Sequence, residues 1–285
     1  MTLRFPRGEM ELDRCRVMGI VNRTPDSFYD GGRMDLGESV DHCRALVDQG
    51  ADLIDIGGVK AGPGPPVDEP EELQRLLPLV EGVAKAIAVP ISIETSRAQV
   101  ARRAVEAGAA IVNDVSGLSD PELAAVCAAT GAALILMHHG GQIRGRPRHP
   151  VYSDVVSDVR AEWTRLAGLA RAAGVGNDRL IVDPGLDFGK NTFHSLELMR
   201  RLDELTEGSY PVLIATSRKD VVGETLDLPT EERLEGSLAL VALSAAGGAS
   251  IVRVHDVTES VRVVRMVEAV GGKRAPVAPV RGLWE

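Results

Sequence analysis

The chain has 285 residues, of which 44 % are apolar and 26 % are charged. These proportions are near the averages for folded globular proteins, so they disfavour a disordered or fibrous chain. Thirty-two Lys and Arg against 41 Asp and Glu give a net charge of −9, which argues against a general affinity for nucleic acid or anionic lipid. We therefore expect no nucleic-acid partner and no membrane partner.

The cysteines and the N-terminal segment bear on the compartment of the protein. Cys15, Cys43 and Cys127 are odd in number and lie far apart, which indicates neither a disulfide framework nor a zinc ribbon. The first 14 residues contain no apolar core of a signal peptide, and no run of 18 apolar residues follows. We expect a cytoplasmic protein.

Eight short apolar runs alternate with eight longer segments of helical periodicity, the pattern of repeated βαβ units. The runs are Val17–Val21, Leu53–Ile56, Pro90–Ile93, Ala110–Val112, Ala132–Met137, Leu180–Val182, Val212–Ala215 and Ile251–Val254. The helical segments are Gly37–Gln49, Glu71–Ala86, Arg97–Ala107, Pro121–Ala129, Asp154–Ala173, Thr192–Leu205, Glu231–Ala246 and Thr258–Ala269. Eight units predict one α/β domain over residues 1–285, a (β/α)8 TIM barrel with its core at about 15–270. An open doubly wound sheet is the alternative, but such sheets more often have fewer strands.

Polar side chains follow every apolar run, at the strand ends where barrel enzymes carry their chemistry. In chain order they are Asn22 with Asp26, Asp55, Glu94, Asn113 with Asp114, His138 with His139, Asp183, Ser217 with Arg218 and Lys219, and Arg253 with His255. Because the eight ends meet at one mouth, we expect these groups to form a single site.

Several of these residues also have structural interpretations. Asp55 and Asp114 precede glycine-containing turns and could cap them. His138 and His139 are adjacent, so on a strand they face opposite sides, and their spacing does not predict a zinc site.

The cations at the strand ends point to an anionic ligand. Arg253 and His255 are two residues apart and share a face of the last strand, where an anion is the natural partner. Lys219, with Arg218, adds positive charge at the mouth and could be an ion-pair partner, a phosphate or carbonyl ligand, or a Schiff-base nucleophile. The carboxylate of Asp183 together with the amide of Asn113 suits a flat heterocycle such as a pterin or purine edge.

Several ordered motifs resemble those of the dihydropteroate synthases. The opening block is Met18-Gly19-Ile20-Val21-Asn22-Arg23-Thr24-Pro25-Asp26-Ser27-Phe28. It is followed by Ile54 to Gly58, Ile111 to Gly117, Asp183 to Lys190, Ser217-Arg218-Lys219 and Arg253 to Asp256, in the family's order and spacing. The resemblance runs from about Val17 to Val270, and several ordered blocks are a specific signal.

The resemblance implies a TIM barrel, a homodimer, and a reaction in which a pterin pyrophosphate loses pyrophosphate to p-aminobenzoate. It implies pterin binding by Glu94, Asn113, Asp183 and Lys219, and pyrophosphate binding by Asn22, Arg253 and His255. Asn22 is then also the ligand of Mg²⁺, the expected cofactor. Lys219, Arg253 and His255 are the expected catalytic residues, because anion stabilisation is what loss of pyrophosphate requires. Phe188, Asp220 and Pro63 are expected on the side of the incoming amine.

The departures from the family pattern fall mainly on the amine side. Ala61 and Gly62 replace the Thr and Arg of a loop, and Asp220 replaces a serine that helps to hold the carboxylate of p-aminobenzoate. Two carboxylates that face each other repel. Glu94 replaces an aspartate and Asp187 a glycine. This pattern resembles the divergent second paralogue found in some actinobacteria.

Three hypotheses follow. The first is a dihydropteroate synthase whose loops accommodate p-aminobenzoate differently. The second is a pterin-binding paralogue that has lost synthase activity or uses another amine. The third is an unrelated barrel enzyme, such as an aldolase with Lys219 as its Schiff-base nucleophile. The loop with Arg144, Arg146 and Arg148 suits either a solvated segment or an anion clamp.

Overall fold

The structure is a computed structural model, and it describes residues 1–22, 35–59, 66–141 and 149–281. The segments that hold Asp26, the altered loop with Ala61, Gly62 and Pro63, and the three loop arginines lie outside the described residues. The first two strands, β1 (Thr2–Phe5) and β2 (Gly8–Glu11), pair as an antiparallel hairpin.

Eight further strands form one parallel sheet. They are β3 (Arg16–Asn22), β4 (Leu53–Gly57), β5 (Ile91–Glu94), β6 (Ile111–Asp114), β7 (Ala133–Met137), β8 (Leu180–Asp183), β9 (Leu213–Ala215) and β10 (Ile251–Val254). Their order is β8-β7-β6-β5-β4-β3-β10-β9, and a parallel bridge between Val182 and Val212 connects the two ends of the sheet. The sheet is therefore a nearly closed barrel, and the TIM-barrel prediction is confirmed.

Ten helices accompany the strands. They are α1 (Leu36–Asp48), α2 (Glu69–Ala86), α3 (Ala98–Ala107), α4 (Leu123–Thr130), α5 (Val155–Ala172), α6 (Thr192–Arg200), α7 (Leu202–Thr206), α8 (Asp220–Leu226), α9 (Leu234–Ala246) and α10 (Val257–Val270), counted over the described ranges. Side-chain caps fix four of the helix starts, because Asp35, Asp68, Asp154 and Asn191 each accept a backbone N–H of the first turn. Of these helices, none combines the length and the apolar composition needed to cross a bilayer.

The N-terminal hairpin helps to close one end of the barrel. Leu3 is fully buried and belongs to the same apolar cluster as the inward-facing Met18, Ile111 and Ile251. These side chains fill the interior near the N-terminal ends of the strands. The carboxyl ends of the strands are then left as the open mouth in which a ligand can bind.

The structure differs from the predicted elements in three places. The hairpin was not predicted, because its two strands are short and mostly exposed. The predicted helix Thr192–Leu205 is two helices, because Arg201 leaves helical geometry at φ −109° and ψ 35°. Helix α8 lies directly after Lys219, where the sequence pattern predicted none.

Candidate functional site

The carboxyl ends of the barrel strands bring the predicted polar residues to the mouth. Asn22, Glu94 and Asp183 are the last residues of their strands. Glu94 is paired in register with Asn113 on the next strand. Lys219 follows β9, and Arg253 lies within β10.

The centre of the mouth is an ion-pair network around Arg253. Its Nε donates to Oδ2 of Asp55 at 2.7 Å, and its Nη2 donates to Oε2 of Glu94 at 2.9 Å. Nδ2 of Asn113 donates to the same Asp55 oxygen at 3.2 Å. Asp55 is fully buried, so a cation beside it is required to offset its desolvation. The expected anionic partner of Arg253 is therefore supplied in part by the protein itself.

Arg253 has a third side-chain nitrogen, Nη1, in addition to the two that bind carboxylates. Among the described residues, Nη1 of Arg253 makes no hydrogen bond, and the side chain keeps 16 % exposure. Burial raises the pKa of Glu94, and the positive charge of Arg253 opposes that rise. The arrangement holds Arg253 in place while one edge of its guanidinium group faces the mouth.

Asp183 is held by the backbone around it. Its Oδ1 accepts the N–H of Gly185 at 2.7 Å, and its carbonyl accepts Nε1 of Trp163 at 3.0 Å. Burial raises the pKa of its carboxyl, whereas Lys219 nearby lowers it. Within the described part of the chain, Oδ2 of Asp183 accepts no hydrogen bond, so it is available to a ligand donor.

The loop that carries Asp183 is tied down by Lys190, which sequence reasoning quoted within a motif but gave no role. Its Nζ donates to the carbonyls of Phe188 at 2.9 Å, Gly185 at 3.0 Å and His138 at 3.2 Å. Nζ also lies 2.8 Å from Nδ1 of His138. The signal in the sequence was a lysine that ends a glycine-rich loop, a segment with many carbonyls to satisfy.

Two glycines allow this loop to pack against the end of β7. Gly185 has φ +65° and Gly189 has φ +60°, both in the region that favours glycine. A Cβ at either position would overlap a carbonyl oxygen, that of His138 or that of His139. The loop is thus fixed in position beside β7.

Lys219 and Phe188 form the next part of the mouth. Nζ of Lys219 lies 4.7 Å from the centre of the Phe188 ring and donates to the carbonyl of Leu186. Burial lowers the pKa of Lys219, and the carboxylates of Asp187 and Asp183 oppose that effect. The predicted neighbours Phe188 and Lys219 are therefore brought together.

His255 is held at the end of β10 by Ser217. The backbone N–H of His255 donates to Ser217 Oγ at 3.2 Å, and its Nδ1 lies 3.0 Å from the same oxygen. Burial, followed by the charge of Arg253, lowers the pKa of His255 to about 4. At neutral pH the imidazole is uncharged in this structure, so it can offer a hydrogen bond to an anion but no positive charge.

Two charged residues that follow β9 are paired with other side chains, and for Arg218 this corrects the sequence analysis. Arg218 was expected to add a cation to the mouth, but its Nε and Nη2 bind both oxygens of Asp256, at 3.0 and 2.8 Å. Asp220 binds Nη1 of Arg233 at 3.1 Å. Both side chains thus hold together the segments that follow β9 and β10.

The two capping candidates behave differently. Asp114 accepts the N–H groups of Ser116 and Leu118, at 2.9 and 2.6 Å, as the capping interpretation predicts. Asp55 instead binds Arg253 and Asn113. Of the two aspartates, only Asp55 belongs to the network at the mouth.

A second missed residue is Asp187, which has φ +68° although it is not a glycine. Its Oδ1 accepts Ser195 Oγ at 3.0 Å, and its Oδ2 accepts the N–H of Val221, in the first turn of α8, at 3.1 Å. The signal in the sequence was a charged residue where the related motif has glycine. Its carboxylate joins the loop after β8 to α8, on the side of Phe188 and Lys219.

A magnesium ion would find few protein ligands here. Among the described residues, no group of three or more His, Cys, Asp or Glu could hold a metal. The amide oxygen of Asn22 is directed towards Gly57, where a Cβ would lie 3.4 Å from it. One amide oxygen is compatible with Mg²⁺, because this ion commonly takes one or two protein ligands and fills its other positions with phosphate oxygens and water.

Comparison with known proteins agrees with this geometry. The family model described as "Pterin binding enzyme" matches residues 18–255. The chain is 48 % identical over 278 residues to "Inactive dihydropteroate synthase 2" of Mycobacterium leprae (strain TN), covering 95 % of this chain and 96 % of that one. It is 40 % identical over 268 residues to the dihydropteroate synthase of Escherichia coli (strain K12), covering 93 % and 95 %.

A solved structure shows the same similarity. The dihydropteroate synthase of Yersinia pestis, crystallised as a sulfonamide drug complex, superimposes with a TM-score of 0.91 at 39 % identity. The alignment covers 96 % of this chain and all of that one. The chain therefore belongs to the pterin-binding enzyme family that includes the dihydropteroate synthases, and it is similar to a divergent second paralogue of that family.

Proposed function

We propose that this protein is a dihydropteroate synthase-type transferase of folate biosynthesis. Its substrates are 6-hydroxymethyl-7,8-dihydropterin pyrophosphate and an arylamine, for which p-aminobenzoate is the family's substrate, and its products are dihydropteroate and pyrophosphate. The observation that supports this most is the buried Asp183 carboxylate, with Oδ2 open to the mouth and Lys219 nearby. Family membership removes the hypothesis of an unrelated aldolase.

In this proposal the pterin ring lies between Asp183, Asn113 and Lys219. Asp183 accepts hydrogen bonds from the amino group and a ring N–H of the pterin, because a carboxylate can accept a pair of parallel donors. Lys219 donates to an acceptor on the ring. Glu94 takes part through Arg253, which it helps to hold in place.

The pyrophosphate leaves towards Asn22, Arg253 and His255. The bond between the methylene carbon and the pyrophosphate oxygen breaks, and its electron pair departs with pyrophosphate. The lone pair of the arylamine nitrogen forms the new C–N bond, and that nitrogen then loses a proton. Nη1 of Arg253 and the neutral His255 donate hydrogen bonds to the departing anion. Mg²⁺, held by Asn22 and the pyrophosphate, would supply charge neutralisation when bound.

The arylamine enters on the side of Phe188, Lys219 and Asp220, with Pro63 contributing from its loop. The ring of Phe188 offers an aromatic surface, and Lys219 lies over it.

We further propose that the protein is cytoplasmic, which agrees with its three free buried cysteines. A homodimer is also proposed, and the exposed Leu243, Met266 and Val270 on α9 and α10 support an apolar contact surface.

The alternative function is that of a pterin-binding paralogue without synthase activity or with another amine. Asp187 favours it, because its carboxylate is joined to the first turn of α8 and acts on Lys219. Asp220 favours it because it adds a carboxylate at the start of α8, directly after Lys219. The M. leprae relative carries the word "inactive" in its name.

One experiment separates the two functions. The purified protein is incubated with dihydropterin pyrophosphate, Mg²⁺ and p-aminobenzoate, and the products are measured by mass spectrometry, while calorimetry measures pterin binding. Dihydropteroate at catalytic turnover supports the synthase. Pterin binding without dihydropteroate supports the paralogue, and substitution of Asp220→Ser with Ala61→Thr and Gly62→Arg should then restore turnover. Absence of pterin binding overturns both functions.

A further inference from the structure

The amine side of the mouth differs in charge from its pterin side. Nζ of Lys219 lies 4.7 Å from the centre of the Phe188 ring. Asp187 precedes Phe188 in the loop after β8, and its carboxylate accepts the N–H of Val221 in α8. Of the neighbouring charges that favour the protonated form of Lys219, the carboxylate of Asp187 acts most strongly and that of Asp183 next. Lys219 therefore has carboxylates of the protein around it before any substrate arrives.

The position of the Asp187 carboxylate is fixed at both oxygens. Ser195 Oγ donates to Oδ1 at 3.0 Å and also accepts the backbone N–H of Asp187 at 3.1 Å. The N–H of Val221 donates to Oδ2 at 3.1 Å. A carboxylate with a hydrogen bond to each of its oxygens cannot turn away from an incoming anion at small cost.

Two N–H groups in the first turn of α8 are not available to an anion. The N–H groups of Val222 and Gly223 bind the carbonyl of Lys219, at 3.1 and 3.2 Å. Asp220 contributes a second carboxylate, and its partner Arg233 also binds the carbonyl of Arg218. A substrate carboxylate placed beside Lys219 would meet the carboxylate of Asp187, whose position is fixed.

We propose that the second substrate is an arylamine whose far end is a neutral hydrogen-bond donor rather than a carboxylate, and that Asp187 determines this preference. This inference rests on the proposed pterin site and specifies the alternative function, in which another amine takes the place of p-aminobenzoate. A neutral amide can donate to Asp187 or Asp220, whereas a carboxylate at the same place is repelled. The change from glycine to aspartate at this position is then a change of specificity.

Binding measurements test this without requiring turnover. The protein is saturated with 6-hydroxymethylpterin, pyrophosphate and Mg²⁺, a set that cannot react, and titrated with p-aminobenzamide or p-aminobenzoate by calorimetry. The two probes differ only in the charge of the group opposite the amine. We expect the amide to bind at least about tenfold more tightly, which corresponds to about 1.4 kcal/mol.

Two variants assign the preference to Asp187. Asp187→Asn keeps one acceptor oxygen, which can take the N–H of Val221, while its amide N–H can donate to Ser195 Oγ, and Asn tolerates a positive φ. Asp187→Gly restores the residue of the related motif. Both should bring the ratio of the two dissociation constants close to one by tightening p-aminobenzoate binding. Asp41→Asn on α1, an exposed aspartate far from the mouth, is the matched control and should leave the ratio unchanged.

Each outcome decides the question. The proposal is overturned if the wild type binds p-aminobenzoate as tightly as the amide, if neither probe binds, or if Asp187→Asn leaves the ratio unchanged. A separate titration with 6-hydroxymethylpterin alone tests the proposed pterin site, which fails only if the pterin itself does not bind.

Discussion

Nζ of Lys190 lies 2.8 Å from Nδ1 of His138, although both side chains are buried. The contact joins the loop that carries Asp183 to the end of β7. Burial lowers the pKa of His138 to about 3, so its imidazole is neutral and adds no second positive charge beside Nζ of Lys190. We therefore expect the position of the Asp183 carboxylate to depend on Lys190, which acts as a positioning residue.

Replacement of Lys190 should therefore weaken pterin binding. Lys190→Met keeps most of the side-chain volume but leaves the carbonyls of His138, Gly185 and Phe188 without their donor. We expect the dissociation constant for the pterin to rise about tenfold or more, which corresponds to about 1.4 kcal/mol, since the loop that follows Asp183 loses the contacts that hold it. Calorimetry with Lys85→Met, an exposed lysine on α2, as control measures this, and unchanged binding would contradict the positioning role.

The same lysine should make stability depend on pH. Burial lowers the pKa of Lys190 from 10.5 to about 7. Between about pH 7 and 10.5 the unfolded chain binds a proton that the folded chain does not, so the free energy of unfolding rises with pH. The slope from one group is at most about 1.4 kcal/mol per pH unit. Urea unfolding from about pH 7 to 8.5 should show a smaller slope in Lys190→Met than in the wild type; equal slopes would count against the lowered pKa.

His255 offers a second titration. Its pKa is lowered to about 4 by burial and by Arg253, compared with 6.5 in an unfolded chain. Stability from this group is present above about pH 6.5 and is lost as the pH falls towards 4, because the unfolded chain then binds the extra proton. Nuclear magnetic resonance of the imidazole, assigned with His255→Gln, should give a pKa near 4 that rises when pyrophosphate binds. A pyrophosphate-independent value would exclude direct contact with the anion.

The sequence could predict that the residues at the strand ends lie together, because the barrel topology alone brings the carboxyl ends of the strands to one mouth. Asn22, Glu94 and Asp183 end strands in the structure as the apolar runs predicted. The partners of the charged groups could not be predicted in the same way. Arg253 and Asp55 are 198 residues apart, and their contact depends on inward-facing positions of strands that lie on either side of β3.

The conformation of the loop after β8 could not be predicted from the sequence pattern either. The roles of Asp187 and Lys190 depend on positive φ values at Asp187, Gly185 and Gly189, which turn the loop back onto β7 and α8. Periodicity describes regular elements and gives no information on such turns. The substitution of glycine by Asp187 could be noticed in the sequence, but its hydrogen bonds to Ser195 and Val221 required coordinates.

The pterin site can be tested at Asp183. Asp183→Asn keeps the shape and an acceptor for the N–H of Gly185 but cannot accept two ligand donors. We expect pterin affinity to fall about a hundredfold, since a charged bidentate acceptor is lost, with little change in melting temperature. Calorimetry and thermal unfolding measure the two effects. Asp178→Asn, on the exposed turn before β8, is the control, and equal losses in both variants would contradict the assignment.

The last prediction separates stability from ligand binding at Arg253. Arg253→Met leaves the buried Asp55 and Glu94 without their cation, and removal of one partner of a buried ion pair costs about 3–5 kcal/mol. The free energy of unfolding in urea should fall by about this amount. Adding Glu94→Gln removes one of the two unpaired carboxylates and should recover part of the stability but none of the pyrophosphate affinity, because Nη1 of Arg253 is still absent. Recovery of both properties would show that Arg253 acts only as a structural cation, and pyrophosphate would then be bound elsewhere.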